Sequence, residues 1–145
     1  MAPAPVPVVE TASATELASR LRLVVTRLRR RLRHHAGGRL TPSQASALSS
    51  VERHGPMTLG ELSAVENVRP PTLTKVVAAL EEQGLVARHT DAQDRRVARV
   101  ETTAKGARLL AEARSRTDAY LATHLAALPA DDLDALRRAV AALEH

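Results

Sequence analysis

The sequence predicts a mainly α-helical fold with one small two-stranded β-hairpin, and three observations carry that expectation. The composition is 44% hydrophobic but only 1% aromatic, so the core must be built from Leu, Val and Ala, a mixture that favours helices. Apolar residues recur at helical spacing along most of the 145 residues. One stretch breaks that rhythm: two short runs, 85–89 and 97–101, flank a charged polar loop, as the arms of a hairpin do. The length suits one domain.

The opening MAPAPVPVVETA, residues 1–12, is rich in proline and lacks the basic and continuous apolar regions of a secretory signal, so it is expected to be a disordered tail. A first helix should start at Ser13, where Ser13 and Glu16 have the spacing of a capping box. Leu17, Leu21, Val24, Val25, Leu28 and Leu32 form its apolar stripe, seven arginines from Arg20 to Arg33 lie largely off it, and Gly37-Gly38 ends it. Thr41-Pro42 opens a second helix running to about His54, with Ala45, Leu48 and Val51 inward, before Gly55-Pro56 stops it. Thr58 and Glu61 make another capping box for a short helix reaching about Val65, and Glu66-Asn67-Val68-Arg69 is a tight connection. Pro70-Pro71 starts the next helix, whose inner stripe is Leu73, Val76, Val77 and Leu80, and Gly84 terminates it. Two short helices joined by such a turn are a helix-turn-helix, and the hairpin that follows, with Thr90 to Arg96 at its tip, is a wing. Thr102 or Thr103 then caps a long helix through Leu109, Leu110, Leu121 and Leu125, which Pro129 breaks. Asp131 and Asp132 favour the start of a last helix through Leu133, Leu136, Val140 and Leu143.

The chain therefore divides into a winged helix-turn-helix of about 41–101 and flanking helices of about 13–36 and 103–145. Those terminal helices carry more apolar stripe than so small a central unit can cover, and a homodimer that packs them against their counterparts solves the excess. The formal net charge is +5, and all but Lys75 and Lys105 of the 21 basic side chains are arginine, the side chain best matched to phosphate. With one tyrosine and no Trp or Phe, ring platforms for single-stranded nucleic acid are missing, which leaves double-stranded DNA. Zero cysteines exclude disulfides, thiolate metal sites and thiol nucleophiles. The sequence shows no membrane span, which implies a cytoplasmic protein. It also lacks a phosphate-binding glycine loop, a nucleophile elbow and a framed acid–base pair, so no enzyme and no cofactor are expected. His34 and His35 are adjacent and diverge on a helix, so no metal is expected either.

Four segments carry a family resemblance: Leu59-Gly60-Glu61-Leu62, the run from Pro71 to Val86 with its Glu81-Glu82-Gln83-Gly84 end, Asp91-Ala92-Gln93-Asp94-Arg95-Arg96, and Val100 to Gly106 with Thr103-x-x-Gly106. In that order they resemble the MarR family of winged-helix transcriptional regulators over roughly residues 13–145. The resemblance implies a sequence-specific regulator of transcription, a homodimer repressing from a palindromic operator and released by a small-molecule effector. Arg69, Pro71, Thr72, Thr74 and Lys75 are then expected to meet DNA from the recognition helix, where short polar side chains reach base edges in the major groove. At the wing, Arg96 is expected to enter the minor groove, held by Asp94, with Arg95 on the flanking phosphates. Arg88 and Arg99 are counted in the same basic footprint. The family's effector pocket, between the dimerisation helices and the DNA-binding lobe, would here draw on Arg33, His34, His35 and His54. Two departures from the family pattern are Arg69, where a small polar residue is usual, and Glu66-Asn67 in place of Leu-Gly. The competing readings are an architectural DNA binder of low specificity without ligand response, and a winged module that has turned to protein partners.

Overall fold

The computed structural model describes residues 9–144. Its elements are α1 (Val9–His35), α2 (Pro42–His54), β1 (Met57–Thr58), α3 (Leu59–Glu66), α4 (Pro70–Glu82), β2 (Val86–Thr90), β3 (Ala98–Thr102), α5 (Ala104–Ala126) and α6 (Ala130–Leu143). Local chemistry explains most of the boundaries. Thr41 caps α2 by accepting from Gln44 N while the Gln44 side chain accepts from Thr41 N, and Thr58 with Glu61 does the same for α3. Thr103 caps α5. Asn67 ends α3 in the left-handed region at φ 51°, a conformation open to Asn among the few non-glycine residues that tolerate it. Asn67 thus holds a conformation that glycine also adopts freely.

The core lies inside the winged lobe. Leu48 and Val51 of α2, Leu62 of α3, Leu73, Val77 and Leu80 of α4 and Val100 of β3 are fully buried. Full burial of a Leu or Val side chain is worth about 1.5–3 kcal/mol, so this cluster fixes α4 against α2 and α3. The long helices contribute little: Leu110 of α5 joins the core cluster, while Leu17, Leu21, Val24, Val25 and Leu28 of α1 and Leu136, Val140 and Leu143 of α6 are exposed. α1 meets α5 through the stacked rings of His35 and Tyr120, whose centroids are 3.8 Å apart, and Tyr120 also leans on His124 at 4.2 Å.

Four expectations are corrected. The first helix starts at Val9, not Ser13, so Ser13 is inside it and residues 9–12 are helical; residues 1–8 of the expected tail lie outside the described residues. The sheet has three strands in the order β1-β3-β2, not two. Met57 and Thr58 pair antiparallel with Val100 and Arg99, and burial of Met57 holds them there. A two-residue strand has no periodicity to read. In α2 the buried alanine is Ala47 rather than Ala45. The strands run one residue later than expected, with Val86 opposite Thr102 and Thr90 opposite Ala98.

One close approach locks α5 to the winged lobe. A Cβ at Gly106 would lie 2.2 Å from the carbonyl oxygen of Leu85. Beside it, Thr103 Oγ1 donates to Gly84 O at 2.7 Å and accepts from Gly106 N at 3.1 Å, Thr103 N donates to Leu85 O, and Lys105 Nζ donates to Gln83 O at 2.6 Å.

Candidate nucleic-acid interface

The start of α4 is an exposed, cation-bearing helix end. Arg69 is in extended backbone with no side-chain cap, and Pro70-Pro71 occupy the first positions, where a missing N–H leaves nothing unsatisfied. Because Leu73, Val77 and Leu80 face the core, helical geometry turns Pro71, Thr74 and Lys75 outward. Arg69, Pro71, Thr72, Thr74 and Lys75 are all exposed. Thr74 Oγ1 donates to Pro70 O at 2.9 Å, which fixes its rotamer and leaves the oxygen as an acceptor. Thr72 borders a groove of about 250 Å³ between α2 and α4, with Ser43, Ser46, Glu66 and Val76 among its walls. Neither Arg69 nor Lys75 has an ion-pair partner among the described residues.

The wing is organised by Asp91. Its Oδ1 accepts from the backbone N–H groups of Gln93 and Asp94 at 2.7 and 3.1 Å, and its Oδ2 accepts from Arg99 Nε. Arg99 Nη1 reaches on to Glu61 Oε2 at 3.3 Å and to Pro56 O at 3.4 Å. Glu61 Oε2 also accepts from Thr58 N at 2.7 Å. One line of charge thus runs from the wing loop to the start of α3. Its protonation follows: the Arg99 hydrogen bond, helped by the two loop N–H groups, holds Asp91 down at about 2. Glu61 is lowered chiefly by the Thr58 N–H, and Arg99 is raised by Asp91.

At the tip, Arg96 folds over Asp94. Its backbone N and its Nε donate to Asp94 Oδ1 at 2.9 and 3.2 Å, and Nη2 approaches Oδ2 at 3.5 Å, while the Arg96 side chain stays 91% exposed. The expected Asp94–Arg96 pairing is therefore present, and Arg95 stands exposed beside it. Of the wider basic footprint, Arg88 pairs with Glu81 at 3.1 Å, and Arg99 is held by Asp91 and Glu61, so both have carboxylate partners within the lobe. Sequence reasoning missed Asp91 and gave Glu61 only its capping role. An Asp opening a loop two residues before the N–H it accepts is the signal that was available.

Between α1, α2 and α5 lies a cavity of about 570 Å³, with Arg33, His34, Leu40, Leu109, Leu110 and Ala113 among its walls. A neighbouring cavity of about 460 Å³ shares Arg39 and Leu109 and adds Lys105, Arg108 and Glu112. Of the four expected pocket residues, the structure brings Arg33 and His34 to this space. His35 is instead stacked on Tyr120, and His54 is exposed at the end of α2, away from the lining. Among the described residues, no group of three or more His, Cys, Asp or Glu could hold a metal, and no helix is long and apolar enough to cross a membrane.

A helix-turn-helix with an exposed cationic helix start, followed by a wing tipped with arginine, defines a winged-helix regulator of transcription. The chain belongs to the MarR family: the model of that family matches residues 40–98. An uncharacterized HTH-type transcriptional regulator of Mycobacterium bovis is 40% identical over 128 residues, covering 88% of this chain and 90% of the relative. Among solved structures, a putative transcriptional regulator from Pseudomonas aeruginosa is 32% identical with a TM-score of 0.80, over 91% of this chain and 94% of that one. A MarR family protein from Bacillus stearothermophilus is 29% identical with a TM-score of 0.78, over 92% and 94%.

Proposed function

We propose that the chain is a cytoplasmic homodimer that represses transcription by binding an imperfect palindrome in double-stranded DNA. The observation that carries this reading is the pairing of two exposed basic features on one lobe: the uncapped start of α4 and the Asp94-held Arg96 at the wing tip. Thr72, Thr74 and Lys75 face base edges in the major groove, and Arg69 meets phosphate or base beside them. Arg96 enters the minor groove, where a narrow A·T-rich segment attracts a guanidinium, and Arg95 neutralises flanking phosphate. Two such lobes reach successive major grooves about 34–36 Å apart. A small molecule in the α1–α2–α5 cavity releases the operator by favouring a different spacing of the lobes, which requires only that it bind that spacing better.

The test is Arg96→Ala measured against a duplex of the chain's own upstream region. Loss of the insertion lowers affinity by about tenfold, the effect of roughly 1.4 kcal/mol, with circular dichroism unchanged. Equal affinity in the folded variant overturns the insertion.

A further inference from the structure

Of the seven arginines of α1, only Arg33, in the wall of the α1–α2–α5 cavity, enters the function proposed above. Arg20, Arg22, Arg27, Arg29, Arg30, Arg31 and Arg33 are all exposed, and the sequence has no Asp or Glu between Glu16 and Glu52. No ion pair among the described residues uses any of the seven guanidiniums. Elsewhere the chain builds helix surfaces differently, with Glu112 against Arg116 and Asp134 against Arg137 one turn apart. On α1, Arg27 and Arg31, and likewise Arg29 and Arg33, stand four residues apart with like charge, an arrangement that weakens a helix unless something neutralises it.

Helical geometry sorts these side chains around the apolar stripe of Leu17, Leu21, Val24 and Leu28. Arg22, Arg29 and Arg33 fall on one flank, Arg20, Arg27 and Arg31 on the other, and Arg30 points away from the stripe. From Arg20 to Arg33 the helix rises about 20 Å, the length of about six phosphates along one strand of a duplex. Only the end of the stripe meets α5, where Leu32 is partly buried and His35 stacks on Tyr120; Leu17, Leu21, Val24 and Leu28 are exposed on the single chain, and in the homodimer proposed above they are the surface that the second copy covers. A lipid surface would need the stripe and the charges together, so the free arginine face fits a polyanion that is read by charge alone. α1 packs on α5, whereas α4 packs on α2, α3 and β2. The arginine face and the reading end of α4 thus stand on elements packed against different neighbours.

We infer that the arginine face of α1 is a second, sequence-independent surface for duplex DNA, so that a dimer seated on one duplex holds another in trans. The inference rests on the operator reading only for the first duplex. Its chemistry is counter-ion release from phosphates, for which any cation serves and base sequence is irrelevant.

The experiment uses the full chain on beads carrying a duplex of its own upstream region, with a fluorescent random-sequence duplex of equal length added in solution. Bead-bound wild-type protein captures the fluorescent duplex, and that capture declines steeply with salt. Arg22→Gln/Arg27→Gln/Arg30→Gln lowers the capture at least tenfold, while the amount of protein held by the immobilised duplex changes less than twofold. The matching triple Lys variant keeps capture within about threefold of wild type, because phosphate neutralisation asks only for charge. The inference is overturned if bead-bound wild type captures no second duplex, if the Gln variant captures as much as wild type, or if light scattering shows the Gln variant to be monomeric, which would place these arginines in the contact between copies. Failure of the operator reading has its own signature in the first step: protein that binds the upstream duplex no better than an immobilised random one.

Discussion

Asp91 shows how much one carboxylate can determine at the residue scale. It turns the loop by accepting two backbone N–H groups, and it fastens that loop through Arg99 to Glu61 at the start of α3. Because its pKa falls from 3.8 to about 2 on folding, the stabilisation it gives is complete above the unfolded value and is lost as pH falls through the folded one. Protection of the Gln93 and Asp94 amides, taken as exchange relative to the intrinsic rate at each pH, should therefore hold down to about pH 4 and fall toward pH 2. In Asp91→Asn the same amides should exchange faster at neutral pH, with no acid step, and affinity for the upstream duplex should fall about three- to tenfold as the tip loses its anchor. Slow, unshifted exchange in the variant would remove Asp91 from its organising position. The sequence made Asp94 and Arg96 visible because they are two residues apart, but the Arg99–Glu61 link spans 38 residues and only the folded sheet creates it.

Among the elements, the junction of α5 with the turn after α4 is the most constrained. Thr103 and Lys105 bond the carbonyls that end α4, and Gly106 lets the helix sit against Leu85 O. Gly106→Ala forces that contact apart and should destabilise the chain by about 1–3 kcal/mol, as overpacked sites do; urea unfolding measures it, and a midpoint equal to wild type would refute the close approach. The motif Thr103-x-x-Gly106 was legible as a helix start because a cap is local chemistry. The reason for its glycine was not, since the obstructing carbonyl belongs to a residue 21 positions earlier. The same division runs through the other elements. Both Thr capping boxes, the Pro70-Pro71 start and the Gly84 stop could be read from a few neighbours. β1 could not, because two residues hold no pattern and their partner is β3. His54 and His35 were misplaced for a like reason: helix spacing fixes a residue's face, but only tertiary packing decides that His35 meets Tyr120.

At the scale of the molecule, the apolar residues fall into two populations. One fills the winged lobe; the other, on α1 and α6, faces outward. Val140 is 47% exposed on α6, a helix with no buried residue among those described. In a homodimer that stripe is covered, so Val140→Asp should lower the mass in light scattering from twice 15.6 kDa to 15.6 kDa and lower the melting temperature. A dimer of unchanged mass would show that α6 packs elsewhere. The separation of a fixed reading lobe from long helices that bury little of their own surface also gives Tyr120 a special position. It is the sole phenol ring in a chain without indole or benzyl side chains, and it lies between two imidazoles, one of them from α1, where the two parts of the molecule meet. Ultraviolet emission from the unlabelled protein therefore originates at that joint, and any ligand or DNA that shifts α1 against α5 writes its effect directly into the quenching of a single native fluorophore.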